Sequence, residues 1–556
     1  MRSFLNKHHR ILFFGAWLLI NFFQAATTEL FDDEAYYWVY SRYPSWGYFD
    51  HPPMIAIIIK GGSAIFNHEF GVRFFIVLIN TATIMLIGHL IKPRNDKLFY
   101  AISASIGIAQ VGGIIAVPDT PLLFFISVFF LVYKKFVMRM DWLNTLSLGV
   151  SIALMLYTKY HGILIVLFTL ISNPRLLRRQ QTYLVAIIAL FLFTPHLYWQ
   201  YINDFPSVQY HLFERNASTY RFSFTIEYIL GQLLLPGPLI GWLLIWYAVR
   251  YAPSDLTNRA LKYTMVGVYL FFLLSSFKGR VEANWTFAAF VPMIVLSHHY
   301  LVTRPLAVRW IYRTVPISLL IVLGVRIYMM IDNPGIRKII KDEFHFNKVW
   351  VSKVSEEANE LPVVFINSYQ RPSKIWFYDN TPALSLNTPD YRRNNFNFWP
   401  VEDSFIGKRI FVLGIYDSIF LKNKISAPRF DEWGSAIIPL YYSFMKAKIA
   451  EIKTIQSASG ISTSFEINVP KHYLSYFKTP PFDTASIYLA VLNLTDTIRY
   501  YHSTIMVKQI VQESSRMSVH FPIHLPPGAY NARLGISTAL PGHPSLNSPR
   551  FRIRVD

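Results

Sequence analysis

Long apolar runs alternate with short polar segments through residues 1–331 of the chain. Many of these runs approach the roughly 20 residues that a helix needs to cross a bilayer. The first run is interpreted as an uncleaved signal-anchor helix, because no convincing cleavage site precedes the polar segment after it. We predict about eleven membrane spans, which cover approximately residues 11–28, 71–91, 98–116, 119–136, 143–159, 161–173, 182–200, 226–249, 261–277, 285–301 and 313–331.

The pattern changes after residue 331, where no further run is long enough to span a membrane. Residues 340–440 mix short apolar runs with polar loops, which indicates a small α/β region. From residue 445 the apolar and polar positions alternate, and turn residues separate the runs, as in a β-sandwich. We therefore predict three domains: a polytopic α-helical membrane domain (1–331), an α/β region (332–444) and a β-sandwich (445–556).

The composition supports a membrane protein, since 53% of the 556 residues are hydrophobic and 17% are aromatic. A net charge of +20 is compatible with nucleic-acid binding, but the basic residues lie mostly in loops between spans, so we expect no nucleic-acid partner. The chain has no cysteine, which excludes disulfides and a thiol nucleophile. Phosphate-binding loops of the Walker type are absent from the sequence, which argues against an ATP-driven pump.

The charge distribution predicts the orientation in the membrane. If the basic N-terminus is cytoplasmic, the alternate loops on that side are all basic, in agreement with the positive-inside rule. We therefore predict a multi-pass protein of the inner (plasma) membrane with a cytoplasmic N-terminus and an extracytoplasmic C-terminal domain. The inside loops carry Lys92, Arg94 and Lys97; Lys134, Lys135 and Arg139; Arg175, Arg178 and Arg179; Arg250 and Arg259; and Arg304, Arg309 and Arg313.

The segment 31–53, FDDEAYYWVYSRYPSWGYFDHPP, follows the first span directly and is rich in acids and aromatics. Unpaired carboxylates cost several kcal/mol at a hydrocarbon boundary, so such a cluster indicates a functional site. The alternative is an interfacial aromatic belt, although a belt requires no run of acids. The segment holds Asp32, Asp33, Glu34, Tyr36, Tyr37, Asp50 and His51.

Polar residues from distant parts of the sequence also fall at the outer ends of spans. Carboxylates can act as general bases, and lysine and arginine suit a phosphate. Because no nucleotide is expected outside the cell, an activated sugar there would be carried on a lipid phosphate. The outer set fits glycosyl transfer with a lipid-phosphate leaving group, and it comprises Asp119, Lys159, Tyr160, His161, Lys278, Arg280, Glu282 and Trp285.

Several of these residues have structural interpretations that the sequence leaves open. Asp119 opens a span and can cap its helix. Lys159 can extend its side chain from a span end to the interface, and His161 can be an ordinary interfacial histidine. Glu282 can pair with Arg280, two residues before it.

Five motifs occur in the order FDDEAYYW, WGYFDHPPM, VPDTPLLFF, YTKYHGILI and FKGRVEANW. In this order they resemble bacterial glycosyltransferase family 39 and the lipid A aminoarabinose transferases, which are GT-C enzymes similar to the protein O-mannosyltransferases. The resemblance covers about residues 1–300 and implies a polyprenyl-phosphate sugar donor, an outward-facing site and inversion at the anomeric carbon. The predicted sandwich lies outside the family core.

The resemblance also implies roles for individual residues. The first catalytic acid matches Asp33, with Glu34 beside it, but the motif does not separate Asp32 from Asp33; the second acid matches Asp119. His51 stands where some relatives have lysine, so it would bind phosphate only when protonated. The other phosphate-binding residues implied are Lys159, Lys278 and Arg280, and those that would line the substrate and acceptor site are Tyr36, Tyr37, Asp50, Tyr160, His161, Glu282 and Trp285.

These observations together predict an integral-membrane glycosyltransferase that moves a sugar from a polyprenyl-phosphate donor to an envelope protein, lipid A or glycan. The chemistry requires no metal and no other cofactor. A transporter or flippase of a polyprenyl-linked saccharide is the main alternative, but it would place ionisable groups near the bilayer midplane. A binding protein without activity is a third interpretation.

Overall fold

The computed structural model describes residues 2–215, 220–339, 342–417, 419–430, 432–457, 460–492, 498–523 and 525–555. The chain divides into two compact units, Met1–His345 and Phe346–Asp556. The first unit is helical and the second contains all of the described strands. The predicted subdivision of the second part at residue 444 remains a prediction, since both of its sheet regions belong to one unit.

The first unit is a bundle of helices joined by short loops. A 3₁₀ turn at Pro174–Arg178, a π turn at Tyr210–Glu214 and a 3₁₀ segment at Ala283–Ala289 lie between them. The helices are α1 Arg2–Thr27, α2 Asp32–Arg42, α3 Met54–Ile65, α4 His68–Leu90, α5 Asp96–Ser105, α6 Gly107–Val111, α7 Asp119–Met138, α8 Trp142–Thr158, α9 Gly162–Ser172, α10 Gln180–Ile202, α11 Pro206–Gln209, α12 Phe222–Leu234, α13 Gly241–Arg250, α14 Leu256–Ser276, α15 Phe290–Val302, α16 Pro305–Met330 and α17 Pro334–Arg337.

Six helical segments in the described part of the chain are long and apolar enough to cross a membrane. Four shorter apolar helices, α3, α8, α9 and α12, accompany them. A polytopic helical protein is thus confirmed, whereas the count of eleven spans stays a prediction. The six segments are His8–Thr27, His68–Leu90, Asp119–Met138, Gln180–Ile202, Ala283–Val302 and Pro305–Met330.

Two helices occur where the sequence predicted an outer loop. The segment 31–53 contains α2, whose first turn carries the three acids, and α3 follows it after the paired prolines. Carboxylates near a helix N-terminus interact favourably with the helix dipole, which explains why an acidic run starts α2. The helix was missed because its aromatic residues show no clear 3.6-residue period.

One predicted span, 226–249, is broken into α12 and α13 by the sequence Pro236-Gly237-Pro238. Proline removes a backbone hydrogen-bond donor, and Gly237 has a φ of +126°, a backbone angle that residues with a side chain rarely adopt. A Cβ at Gly237 would lie 2.8 Å from the Ser105 carbonyl oxygen. Ser105 ends α5, where the predicted span 98–116 is also interrupted, so the two breaks meet.

The core of the bundle is made by large side chains of α5, α7, α8, α14 and α15 that bury almost completely. Phe99, Phe130, Met155 and Met265 are each 0% exposed. Because lipid tails are as apolar as these residues, helix association in a bilayer depends on close packing more than on the hydrophobic effect.

The second unit begins with a mixed five-stranded sheet in the order β2-β1-β3-β5-β4. The pairs β1–β2 and β1–β3 are parallel, and β3–β5 and β4–β5 are antiparallel. A helix crosses over between β1 and β2, so the predicted α/β region is confirmed. The elements are α18 Asn347–Ala358, β1 Val363–Ile366, α19 Gln370–Tyr378, β2 Ala383–Leu386, β3 Ile410–Ile415, β4 Asn423–Lys424 and β5 Trp433–Ile438.

Two antiparallel sheets follow, in the orders β10-β7-β6 and β12-β11-β8-β9. Their apolar residues alternate with exposed ones and meet in one buried cluster that includes Phe465, Val519, Leu489 and Leu534. This is the predicted β-sandwich. Its elements are β6 Lys448–Ser457, β7 Gly460–Asn468, α20 Tyr473–Tyr476, β8 Ser486–Leu492, β9 Ile498–Met506, β10 Ser514–Phe521, β11 Gly528–Ile536 and β12 Phe551–Val555.

A buried carboxylate, Glu402, ties the α/β region to the sandwich. Its oxygens accept hydrogen bonds from the Met445 backbone N–H at 2.7 Å and the Tyr473 hydroxyl at 2.5 Å, and from the Ser443 hydroxyl. Burial raises the pKa of Glu402, while these donors act in the opposite direction. Because Glu402 accepts three hydrogen bonds, it connects the α/β region and the sandwich within a single unit.

Candidate active site

The acidic helix α2 is anchored by an ion pair between Glu34 and Arg73 of α4. Arg73 Nε donates to Glu34 Oε1 at 2.7 Å and Nη2 donates to Oε2 at 2.5 Å, and both side chains are 0% exposed. Glu34 also accepts from the backbone N–H of Phe31 at 2.8 Å and of Ala116 at 2.7 Å. With four donors on its two oxygens, Glu34 is held firmly in place, and this geometry favours a positioning role over the predicted catalytic one.

The remaining donors of Arg73 go to the chain between α1 and α2. Its guanidinium donates to the carbonyl oxygens of Ala25, Thr28 and Glu29, at 3.3, 2.6 and 2.9 Å. The bidentate fork of arginine permits this simultaneous contact to a carboxylate and to carbonyls. The sequence singled out Glu34 but not Arg73, which lies 39 residues later.

Asp32 and Asp33 stand immediately before Glu34 in the first turn of α2. The Asp32 residue is 8% exposed, while Asp33 is half-buried. Because a base must reach an acceptor that enters from outside, Asp33 is the better placed of the two. Both side chains take part in interactions within the unit.

The tyrosines of α2 form a stack of rings. Tyr40 packs on Tyr36 with ring centroids 4.8 Å apart and on Tyr48 at 4.0 Å. Tyr36 is 1% exposed, so its position favours a packing role over the predicted contact with substrate. Tyr37 instead lies edge-on to the His51 ring, with centroids 5.6 Å apart, and therefore borders the loop before α3.

The second predicted acid, Asp119, is paired with the predicted phosphate-binding residue Lys159. Lys159 Nζ lies 2.7 Å from Asp119 Oδ1, and both residues are nearly buried. Asn284 Nδ2 donates to the other oxygen at 3.0 Å. Asp119 begins α7 and Lys159 follows α8, so the ends of three helical segments meet here. Asn284 was not singled out, although it lies within the motif FKGRVEANW.

Lys159 belongs to a group of five residues, Lys159, Arg215, His51, His161 and His211, which we call the cationic cluster. His51 interacts electrostatically with the other four members. His161 interacts in the same way with Lys159, His211 and Arg215. Burial lowers the pKa of His51 well below 6.5, and the charge of Lys159 lowers it further. His51 is therefore neutral near pH 7 until an anion offsets these charges.

Arg215 is held at the cluster by the motif that contains Trp285. Its guanidinium carbon lies 4.5 Å from the Trp285 ring centroid, a cation–π contact. Arg215 Nη2 also lies 3.4 Å from Glu282 Oε1. The His161 ring packs on the same tryptophan, with centroids 5.6 Å apart. Trp285 and Glu282 thus both contact Arg215, which the sequence did not single out. Their contact with substrate remains a prediction.

Lys278 and Arg280 are placed differently from the prediction. Both are exposed, and Arg280 Nε lies 3.5 Å from Glu227 Oε2, in a pair whose side chains are 66% and 54% exposed. The expected pairing of Arg280 with Glu282 is wrong, because Glu282 pairs with Arg215. The structure thus places neither Lys278 nor Arg280 within the cationic cluster.

Tyr160 and Asp50 attach the cluster to neighbouring loops. The Tyr160 hydroxyl lies 3.0 Å from His196 Nε2 and accepts from Gln200 Nε2 at 2.9 Å. The Asp50 carbonyl oxygen lies 3.2 Å from His211 Nε2. Asp50 therefore borders the cationic cluster, and Tyr160 lies against both α10 and the His211 ring, with centroids 6.2 Å apart. The contact of either residue with substrate remains a prediction.

The arrangement brings an acidic helix N-terminus and a set of cations to one end of the bundle. Lysine and arginine attract an anion, and neutral histidines add donors and can gain a proton when the anion binds. Besides Arg73, sequence reasoning missed Arg215, His211 and Asn284. For Arg215 and His211, the only available signal was their position in a loop assigned to the outer side.

Comparison with known proteins agrees with the resemblance noted from the motifs. Residues 50–199 match the family model described as dolichyl-phosphate-mannose-protein mannosyltransferase. The chain is 26% identical over 307 residues to the lipid A galacturonosyltransferase RgtD of Rhizobium johnstonii. This match covers 52% of the present chain and 63% of the relative, so the chain spans less than two thirds of that protein.

Two solved structures share the fold. The apo crystal structure of ArnT from Cupriavidus metallidurans matches with a TM-score of 0.57 and 12% identity, over 78% of this chain and 98% of the other. The same protein bound to undecaprenyl phosphate matches with a TM-score of 0.56, 12% identity, and coverage of 77% and 97%. The predicted GT-C fold is confirmed, together with the resemblance to family 39.

Proposed function

We propose that the chain, which has the GT-C fold and resembles glycosyltransferase family 39, transfers a sugar from a polyprenyl-phosphate donor to an acceptor of the cell envelope. The cationic cluster is the observation that carries the proposal. Its members come from three separate segments of the chain, yet they interact with one another, and His51 contacts Tyr37 of the acidic helix. ArnT, which shares the fold, has been crystallised with undecaprenyl phosphate.

In the proposed reaction, an acceptor oxygen attacks the anomeric carbon of the sugar. The bond between that carbon and the phosphate oxygen breaks, and its electron pair leaves with the lipid phosphate. Asp33 takes the acceptor proton or orients the acceptor. Lys159 and Arg215 stabilise the charge that develops on the phosphate. A single displacement of this kind inverts the anomeric configuration.

The phosphate is a good leaving group, so the reaction needs neither a strong general acid nor a metal ion. His51 would remain neutral in the free protein and could gain a proton when the donor phosphate reduces the local positive potential. We propose that His51 contributes to donor binding only in the loaded state.

The acceptor class stays open among lipid A, a protein hydroxyl and a surface glycan. The relative of Rhizobium johnstonii is named for action on lipid A, whereas the family model is named for action on protein. Comparative mass spectrometry of envelope glycoconjugates from cells with and without the gene identifies the modified molecule and the added sugar together. Identical glycoconjugates in both strains would contradict the proposed transfer.

Arg215 gives the sharpest test of donor binding. Arg215→Ala should raise the apparent KM for a synthetic polyprenyl-phosphate sugar, or lower kcat, by about tenfold to a hundredfold, because a charge-assisted contact to phosphate is lost. Arg215→Lys should recover part of the loss, since the charge returns without the bidentate fork. Transfer is measured in detergent or nanodiscs.

Arg280→Ala is the matched control for that experiment. It removes an arginine of the same predicted face, but one that is exposed and paired with Glu227. We expect it to stay within about twofold of the wild type, because exposed ion pairs contribute little. If Arg280→Ala has a strong effect and Arg215→Ala has none, the phosphate site lies at the exposed pair of Arg280 and Glu227, and not at the cationic cluster.

The proposal also requires the site to face away from the cytoplasm. A reporter fused after the C-terminus should therefore read out on the extracytoplasmic side, and one fused after Arg94 should read out in the cytoplasm. The reason is the bias of basic residues toward alternate loops. A cytoplasmic readout at the C-terminus would mean that the predicted span count is wrong by an odd number.

A further inference from the structure

A second cluster of ionisable residues, which shares no member with the cationic cluster, follows helix α16 in the sequence. Ligand atoms of Asp332, Asp342 and His345 all lie within 4.8 Å of one another. The Asp342 and His345 side chains are 4% and 7% exposed, and the Asp332 side chain is 21% exposed. Carboxylates are seldom buried together unless cations compensate their charge.

The carboxylates are only half satisfied within the protein. Asp342 Oδ1 accepts from the backbone N–H groups of Phe344 and His345, and it lies 2.8 Å from His345 Nδ1. Asp332 Oδ2 lies 3.2 Å from Arg337 Nη1. The other oxygens, Asp342 Oδ2 and Asp332 Oδ1, are buried without a hydrogen-bond partner among the residues that the structure describes.

A third buried oxygen in the same place supports a ligand. Tyr328 of α16 is 6% exposed, and its hydroxyl also has no hydrogen-bond partner in the described part of the chain. The Tyr328 ring packs against His345 with centroids 5.0 Å apart. Its hydroxyl interacts electrostatically with both Asp332 and Asp342. Three buried oxygens without donors are a suitable lining for a positive ion.

We propose that Asp332, Asp342 and His345 bind one divalent cation, of the kind that accepts mixed carboxylate and imidazole ligands, such as Zn²⁺ or Mn²⁺. His345 Nδ1 lies 2.8 Å from Asp342 Oδ1, so an ion bound between these two residues would replace their mutual contact and take Nδ1 as its ligating nitrogen. The Tyr328 hydroxyl would bond to a water on the ion. Zinc–ligand bonds are about 2.0–2.2 Å long, so the ligand atoms around one zinc ion lie closer together than 4.8 Å. The three side chains would therefore move slightly closer to one another when the ion binds.

The position of this site gives it a structural consequence. Phe344, between the two ligands Asp342 and His345, packs its ring on Phe31 with centroids 5.6 Å apart. Phe31 precedes the first turn of α2, which carries Asp32 and Asp33. The ion would therefore fix the segment that covers the start of the acidic helix. It would not enter the glycosyl-transfer step.

The test is metal binding by the full-length protein in nanodiscs. After treatment with EDTA and dialysis, the protein is titrated with Zn²⁺, Mn²⁺, Ca²⁺ or Mg²⁺ alone, and bound metal is measured by mass spectrometry. We expect one equivalent of Zn²⁺ or Mn²⁺ per chain and a higher unfolding temperature when it is bound. No stoichiometric binding, or binding of Ca²⁺ and Mg²⁺ alone, would overturn the proposed ligand set.

Variants assign the binding to this cluster. Asp342→Asn keeps the shape and the backbone contacts but removes a charge, and it should weaken metal binding at least tenfold; Asp332→Asn provides the same test if the first variant folds poorly. Glu343→Gln removes a charge from the same segment but none of the three proposed ligands, and it should bind the metal normally. Unchanged affinity in both aspartate variants, or an equal loss in Glu343→Gln, would overturn the site.

Discussion

Replacing Arg73 with alanine is expected to lower the free energy of unfolding of the helical unit by about 3–5 kcal/mol, the usual cost of leaving one charge of a buried pair without its partner. Glu34 would keep a full negative charge in a place where both side chains are 0% exposed. Three backbone carbonyls would lose their donor as well. Thermal unfolding of the purified protein in detergent or nanodiscs, with the yield from membranes, measures the effect.

Two further variants control this experiment. Arg139→Ala removes an 82% exposed arginine that lies 3.0 Å from Asp141, and it should change stability by no more than about 0.5 kcal/mol. Arg73→Met combined with Glu34→Gln removes both charges and should cost less than the sum of the single changes. If Arg73→Ala unfolds at the same temperature as Arg139→Ala, the pair is not the anchor of α2.

The second large effect is expected at Asp33. Asp33→Asn should lower the rate of sugar transfer at saturating donor by about a hundredfold or more, the scale of a lost general base, while the fold stays intact. The amide is nearly the same size but cannot take a proton. The measurement is transfer from a synthetic polyprenyl-phosphate sugar, beside the unfolding temperature of the same preparation. Near-normal transfer by a folded Asp33→Asn protein would remove Asp33 from this role.

Variants of the neighbouring acids distinguish the roles of the three carboxylates in the first turn of α2. Asp32→Asn should have a smaller effect on transfer than Asp33→Asn, because Asp32 is the more buried of the two. Glu34→Gln should act mainly through stability, since Glu34 is saturated by Arg73 and two backbone donors. A larger loss of transfer in Asp32→Asn than in Asp33→Asn, with both proteins folded, would exchange their assignments.

The sequence was sufficient to predict the class of fold. Apolar runs, the switch to alternating residues after position 445 and the ordered motifs led to the GT-C resemblance, the α/β region and the sandwich, and the structure confirms these features. The break at Pro236 was not anticipated, because a hydropathy pattern averages over a short interruption. The helix α2 was missed for a related reason, since aromatic residues fit a helix and an interface equally well.

The site was predicted less completely than the fold, because its contacts join residues that are far apart in sequence. Asp119 and Lys159 could each be named from a motif, but their pairing across 40 positions could not. The sequence offered Arg280 as one possible partner of Glu282, whereas the fold brings Arg215 to it. Arg73 carried no signal at all, since a single arginine inside an apolar helix gives no information about its partner.

The ion pair between Lys159 and Asp119 has a consequence for the completion of each catalytic cycle. In the proposed transfer, the donor is a phosphodiester with one negative charge. The departing lipid phosphate is a monoester that carries about one and a half to two negative charges. A lysine without a counter-charge would hold this more anionic product more tightly than the donor. Asp119, 2.7 Å away, competes for the same ammonium group. The pair thus favours exchange of spent lipid for fresh donor.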